Sequence, residues 1–446
     1  MTSTLEASTP LLWAPQAWLD GRWQPRVLLQ VAPDGTWARM APDQPCPPTA
    51  RVLPGPVLPG LVNAHSHAFQ RAFVGLAERR EGEHDDFWSW RDRMYGVALR
   101  LSPDDLRDVA ARLYAELLAG GFTHVCEFHY LHHDTDGRPY ADPLAMAGAL
   151  ADAAAATGIG LTLLPVVYER AGFAAEGLRP DQRRFACTAT QALEMAAAVR
   201  AARRPGVTAG VALHSLRAAR PASIRQVAAQ AGDVPVHIHV AEQTAEVDDC
   251  LQHTGRRPVQ WLADEGLLDA RWQLVHATHT TPTEIEAVAR HGAGVVLCPG
   301  TEANLGDGLP DLPGWLAAAV PWTVGTDSHV TRTVPDELRL LEYGQRLALR
   351  RRNVAADPAG GQPATAARLF DGAARGSAAA AGLPGLGRLA VGARADLLVV
   401  NVDDPALHGI PADHTLDALV FASPTRPFGG VMAGGRWVTQ PPAAPG

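Results

Sequence analysis

Four short segments carry side chains suited to metal-assisted hydrolysis: His65-Ser66-His67, His237-Ile238-His239 with Glu242, Val275-His276, and Gly325-Thr326-Asp327. Each follows a run of apolar, partly β-branched residues, the pattern of a buried strand. Side chains alternate along a strand, so both imidazoles of a His-x-His pair point to the same side. Histidines and an aspartate arriving from other strand ends can then surround one divalent cation. Three imidazoles and a carboxylate are ordinary zinc ligands, and a coordination position left to water makes such a site catalytic. The expected ligands are His65, His67, His239 and Asp327. His239 is preferred to His237 because it lies nearer the strand end, three residues before Glu242. Any one of the 17 histidines would ordinarily be a hydrogen-bonded core or surface residue. Joint placement at successive strand ends reverses that reading.

Glu242 is the expected proton shuttle, since a carboxylate beside an activated water can take its proton and return it to a leaving nitrogen. Asp327 is expected to hydrogen-bond the water while it ligates, which makes it catalytic as well. His276 is left to polarise the substrate or orient the hydroxide. His279 opens the following loop and reads as structural, and His132-His133 reads as an exposed polar pair at a rim.

These residues need a frame that delivers strand ends to one place. Candidate strands fall at 58–64, 122–128, 160–166, 208–213, 234–240, 272–277, 294–298 and 321–326, separated by helix-length segments. That alternation predicts an α/β fold, a parallel (β/α)8 barrel of the TIM type. Catalytic groups in such barrels sit at the C-terminal strand ends, where His65, His67, His214, His239, His276 and Asp327 all fall. Helix grammar is clear before the second strand. Ser102 can cap, Pro103 fits the first turn, Leu106, Val109, Ala110, Leu113 and Leu117 share a face, and Gly120-Gly121 ends it. Both chain ends instead read as short β-structure. Residues 1–57 and 385–446 are expected to pair into one small β-sandwich, the latter with a Pro-rich tail, beside a barrel over 58–384.

Composition narrows the partners. A net charge of -8 argues against nucleic acid or an anionic membrane. Five cysteines without a CxxC pair suit reduced thiols of the cytoplasm, and the first residues lack the pattern of a signal peptide. All 39 Lys+Arg positions are arginine. A carbamylated lysine therefore cannot bridge two metals, which favours one metal per chain.

HxH, HxHxxE, a His on the sixth strand and GTD together resemble the amidohydrolase superfamily. Within it the chain resembles the formimidoylglutamate deiminases of histidine degradation, over nearly its whole length. The specific stretches are Asn63 to Phe73 (NAHSHAFQRAF), Phe87 to Arg91 (FWSWR), Glu127 to His133 (EFHYLHH) and His214-Ser215-Leu216-Arg217. The resemblance implies a single Zn2+, a homodimer, and conversion of N-formimidoyl-L-glutamate to N-formyl-L-glutamate and ammonia. Such a substrate is an amidine with two carboxylates. Arg91 and Arg217 can each fork onto a carboxylate, Gln70 and Tyr130 can donate neutral hydrogen bonds, and His214 is placed to touch the substrate. The rival reading is another deaminase of this fold acting on a purine, pyrimidine or triazine. That chemistry calls for stacking and neutral amide contacts more than for two arginines.

Overall fold

The computed structural model describes residues 11–80 and 85–443. The expectations for the extreme N-terminus and the last three residues lie outside that range. Eight parallel strands follow one another in chain order around a barrel: Leu61–Ser66, Phe122–His129, Gly160–Val167, a fourth in two pieces, Val236–Val240, Trp272–His276, Gly294–Leu297 and Trp322–Val324. All eight candidate strands are therefore found. The fourth divides into Val207–Ala209 and Val211–Leu213. Gly210 between them is pressed so close to its neighbours that a Cβ there would lie 2.5 Å from the Pro235 carbonyl oxygen. Register against the third strand is unchanged across the break, with Ala209 opposite Leu163 and Ala212 opposite Val166.

The barrel closes at the site itself. The backbone N–H of Asp327 donates to the His65 carbonyl at 3.0 Å, and that of His67 to the Asp327 carbonyl at 3.3 Å. The paired side chains of Asn63 and Thr326 reinforce this seam: Asn63 Nδ2 donates to Thr326 Oγ1 at 2.7 Å, and the Thr326 N–H to Asn63 Oδ1 at 2.9 Å.

The helix before the second strand runs over Pro103–Ala119, with Ser102 and Asp105 in a reciprocal capping box and Gly120 at its end. Its predicted apolar face, Leu106 through Leu117, is buried. Another helix, Phe87–Ala98, is capped by Asp86, whose carboxylate accepts the N–H groups of Trp88 and Ser89. It lies in the connection after the first strand and brings Arg91 to the rim of the barrel.

The two chain ends do pair with each other. Strands Leu11–Leu19, Arg22–Val31, Trp37–Ala41 and Val57–Leu58 join Leu397–Val400, Phe428–Ala433 and Arg436–Thr439 in one further sheet. The junction is antiparallel, Leu398 opposite Leu58 and Val399 opposite Val57. Alternation along Leu397–Val400 explains how the sheet attaches. Leu397 and Val399 enter a core shared only by this sheet, whereas Leu398 and Val400 enter the barrel core. Burying a side chain of this size contributes about 1.5–3 kcal/mol, so neither face can be left in water.

Candidate active site

One cavity at the C-terminal strand ends gathers the residues singled out in the sequence. Of those eleven, ten line it, and His65 lies beneath it, fully buried. At its floor the Nε2 atoms of His65 and His239 face each other at 2.9 Å. Asp327 Oδ1 is 3.4 Å from His65 Nε2 and 3.2 Å from His67 Nε2. Nitrogens of His65, His67 and His239 all lie within 4.8 Å of one another, as do donor atoms of His65, His276 and Asp327.

Whether these side chains suit a cation depends on which ring nitrogen is free. The far nitrogens of two rings are engaged: His67 Nδ1 donates to the Phe128 carbonyl at 3.0 Å, and His239 Nδ1 to the His214 carbonyl at 2.9 Å. That arrangement leaves each Nε2 lone pair pointing inward, the usual outer support of a metal-binding imidazole. Burial holds His65 neutral, its pKa lowered to about 3, and burial together with neighbouring imidazoles lowers His239 as well. For Asp327 burial favours the acid, but the adjoining His65 and His67 rings prevail and hold the carboxyl well below its usual range. Imidazole nitrogens and an ionised carboxylate converging on one point fit a divalent metal.

The backbone is shaped for this purpose. Ala241, His276, Ala277, Asp327 and His329 adopt left-handed φ values between 48° and 68°, each costing on the order of 1–3 kcal/mol. The turns they make carry Glu242, His276 and Asp327 inward from their strands. Gly325 is required for a different reason: a Cβ there would lie 2.6 Å from His65 Cβ and 2.8 Å from its backbone nitrogen.

Above the floor, His276 Nε2 is 3.7 Å from Glu242 Oε1 and 3.8 Å from Asp327 Oδ2. Burial raises the Glu242 carboxyl to about 7, partly offset by His276. Burial disfavours the His276 imidazolium, yet Glu242, a hydrogen bond to Glu302 and Asp327 outweigh it and raise this group to about 10. The wall opposite holds Gln70, whose Nε2 donates to the Tyr130 hydroxyl at 3.1 Å, and His214, stacked edge-on against Tyr168 at 4.4 Å. Arg217 and Arg91 close the upper end.

Several neighbours were not foreseen. Glu302, on the short helix Pro299–Leu305 after the seventh strand, approaches His276 Nδ1 at 3.4 Å and accepts the Cys298 N–H at 2.9 Å. Glu246 accepts the N–H groups of Ala241 and Glu242 at 3.3 and 3.1 Å. Glu127 accepts from Ser66 Oγ at 2.7 Å and from the Ala68 N–H at 2.6 Å, bracketing His67. Asp307 joins Glu242 and His276 in a third cluster and accepts from the Gln243 amide. The first three could have been read as carboxylates just beyond or within apolar runs. Asp307 lies in a loop and gave no such signal. His132-His133 differs from expectation: His132 is only 5% exposed, and both rings donate to carbonyls, of Val166 and Ala186. His237 Nε2 donates to the Ala380 carbonyl, and His279 Nε2 to that of Asp307, so neither faces the cluster floor.

A barrel of this kind, with a histidine and aspartate cluster at its strand ends, defines a metal-dependent hydrolase. Residues 57–438 match the amidohydrolase family, and the chain belongs to it. A formimidoylglutamate deiminase of Pseudomonas aeruginosa is 47% identical over 96% of this chain and 94% of its own length. The crystal structure of an amidohydrolase from Brucella melitensis superposes with a TM-score of 0.90 at 41% identity, covering 97% of this chain and 95% of that one. An adenosine deaminase from Xanthomonas campestris with bound zinc shares the fold at 23% identity, with a TM-score of 0.79 over 98% of this chain and 94% of its own.

Proposed function

We propose that this enzyme hydrolyses N-formimidoyl-L-glutamate to N-formyl-L-glutamate and ammonia, with one zinc ion per chain held by His65, His67, His239 and Asp327. The observation that carries the substrate is a pair of guanidiniums beside the metal-type cluster with almost no anion of their own. Arg217 has no ion pair among the described residues, and its buried Nη1 lacks a hydrogen-bond partner. Arg91 has only a 3.6 Å approach to Asp92 among them, and its Nε is likewise unpartnered. Two carboxylates of a bound substrate would satisfy both. A neutral nucleobase would leave both unmet, which is costly for buried charge. The absence of lysine supports a single metal.

A bound divalent ion would supply a water acidic enough to attack at neutral pH. The chain's own residues then do the rest. Arg91 and Arg217 bind the two carboxylates, while Gln70, Tyr130 and His214 orient the formimidoyl end. Asp327 and His276 align the attacking oxygen on the formimidoyl carbon. Glu242 accepts a proton from that water and delivers it to the terminal nitrogen, then relays the remaining hydroxyl proton of the tetrahedral adduct to the same nitrogen, and ammonia departs as the carbonyl forms. One water is consumed, and the bond broken is the carbon–nitrogen bond to the terminal nitrogen. A carboxyl raised to about 7 is suited to both halves of that transfer.

The reading carries a setting with it: a step of histidine degradation, in the cytoplasm, by a homodimer. Among the described residues no helix is long and apolar enough to cross a membrane. The test is ammonia release by zinc-loaded protein from N-formimidoyl-L-glutamate, adenosine and an aminotriazine. Turnover of the first alone is expected, and preference for either heterocycle would refute the proposal. Sedimentation equilibrium checks the dimer.

A further inference from the structure

Arg91 and Arg217 carry like charges, come from different elements, and lean on one indole. Arg91 Cζ is 4.6 Å from the ring centroid of Trp88, and Arg217 Cζ is 5.0 Å from the same ring. Arg91 also stands 5.5 Å from the Tyr95 ring. Arg217 is 9% exposed and has no carboxylate partner among the described residues. A guanidinium that has left water and touches no anion, with Glu242 and Glu246 acting on it only at longer range, gains from a nearer source of negative potential, and the face of a tryptophan supplies the strongest one among side chains. Trp88 is itself placed. Its backbone N–H donates to Asp86 Oδ1 at 3.0 Å, and its ring meets Phe87 edge-on at 5.0 Å.

We infer that Trp88 is a positioning residue for dicarboxylate specificity, its indole holding both guanidiniums in place before the substrate arrives. The inference rests on the function proposed above, because it assumes a ligand with two carboxylates. Trp88 does not line the cavity, so it acts through the arginines and not on the ligand. Without the indole, two long like-charged side chains are free to separate. Ordering them again on binding costs affinity, and leaves the distant hydrolytic step largely as it was.

The experiment compares Trp88→Leu and Trp88→Phe with the wild type in three readouts: steady-state kinetics, zinc content, and calorimetric binding of glutarate, a dicarboxylate that cannot be hydrolysed. In Trp88→Leu the KM for N-formimidoyl-L-glutamate should rise about tenfold, the scale of one desolvated cation–π contact. Its kcat should change much less, zinc content should not change, and glutarate should bind correspondingly more weakly. Trp88→Phe, which keeps an aromatic face, should recover most of the KM. The KM for N-formimidoylglycine, which has one carboxylate, should move less. An unchanged KM, an equal loss on both substrates, or a Phe variant no better than Leu would overturn the inference. Should the wild type fail to turn over N-formimidoyl-L-glutamate, the proposed function falls, and glutarate binding alone decides the role of Trp88. Weaker binding by Trp88→Leu then supports it, while unchanged binding, or none by the wild type, overturns it.

Discussion

The floor and the upper end of the cavity are built by different means. Floor residues belong to strand ends or the residues just past them, and the backbone bonds that close the barrel run through His65, His67 and Asp327 themselves. The His67 and His239 rings have defined outer partners, whereas the buried His65 Nδ1 has none, and the turns here hold left-handed backbone that only a rigid surround would sustain. At the upper end, Arg91 rides on a helix in a connecting segment and Arg217 on a short loop after the fourth strand. Their contacts are aromatic faces, and polar atoms of both remain unpartnered. The contrast teaches that the histidine–aspartate cluster is overdetermined by the fold, whereas the arginine end leaves polar atoms that a ligand would have to meet.

Chelation is the largest blow to the floor. Prolonged treatment with a strong chelator should abolish ammonia release, and zinc alone should restore it. Full recovery at one equivalent, followed by elemental analysis, checks the single-metal stoichiometry, while a requirement for two would break it. Glu242→Gln comes next. Loss of a general acid–base group typically costs about 10²–10⁴-fold in rate, and here zinc content should stay normal. Substantial residual turnover would remove Glu242 from its role, and loss of metal would make it a ligand.

The upper end is probed by Arg217→Met. Removing one partner of a buried charge pair costs about 2–5 kcal/mol, so kcat/KM on N-formimidoyl-L-glutamate should fall by the corresponding tens- to thousands-fold with zinc retained. Paired with the same change at Arg91 and with the one-carboxylate substrate, it shows which arginine reads which carboxylate. If the upper end were as tightly braced as the floor, Arg217→Met would also lower the melting temperature; little change is expected. Gly325→Ala should do the reverse. Its added methyl presses on His65, and overpacking of this kind costs about 1–3 kcal/mol. Differential scanning calorimetry should show a lower melting temperature, with zinc binding impaired.

His65, His67, His239, His276 and Asp327 were legible because each caps an apolar run, and strand alternation dictates which way such side chains point. Glu242 was legible from its offset to His239. Glu302 follows the seventh strand in the same way, but its partner, His276, comes from another strand, and nothing local announces that pairing. Trp88 looks like any tryptophan on an amphipathic helix until Arg217, far along the chain, is laid against it. His132 and His133 look like rim residues, yet the carbonyls that accept from them belong to Val166 and Ala186, so their burial is set by packing with later segments.

Sequence by itself determined the barrel, the ends of its strands, and the chemical types collected there, since these follow from periodicity and from local turn chemistry. Tertiary structure alone decided which nitrogen each histidine turns inward, how far burial shifts Glu242, and which indole ring two arginines approach. Those properties depend on distances between groups remote in the chain and on their removal from water, and neither quantity is defined until the strands have closed into the barrel.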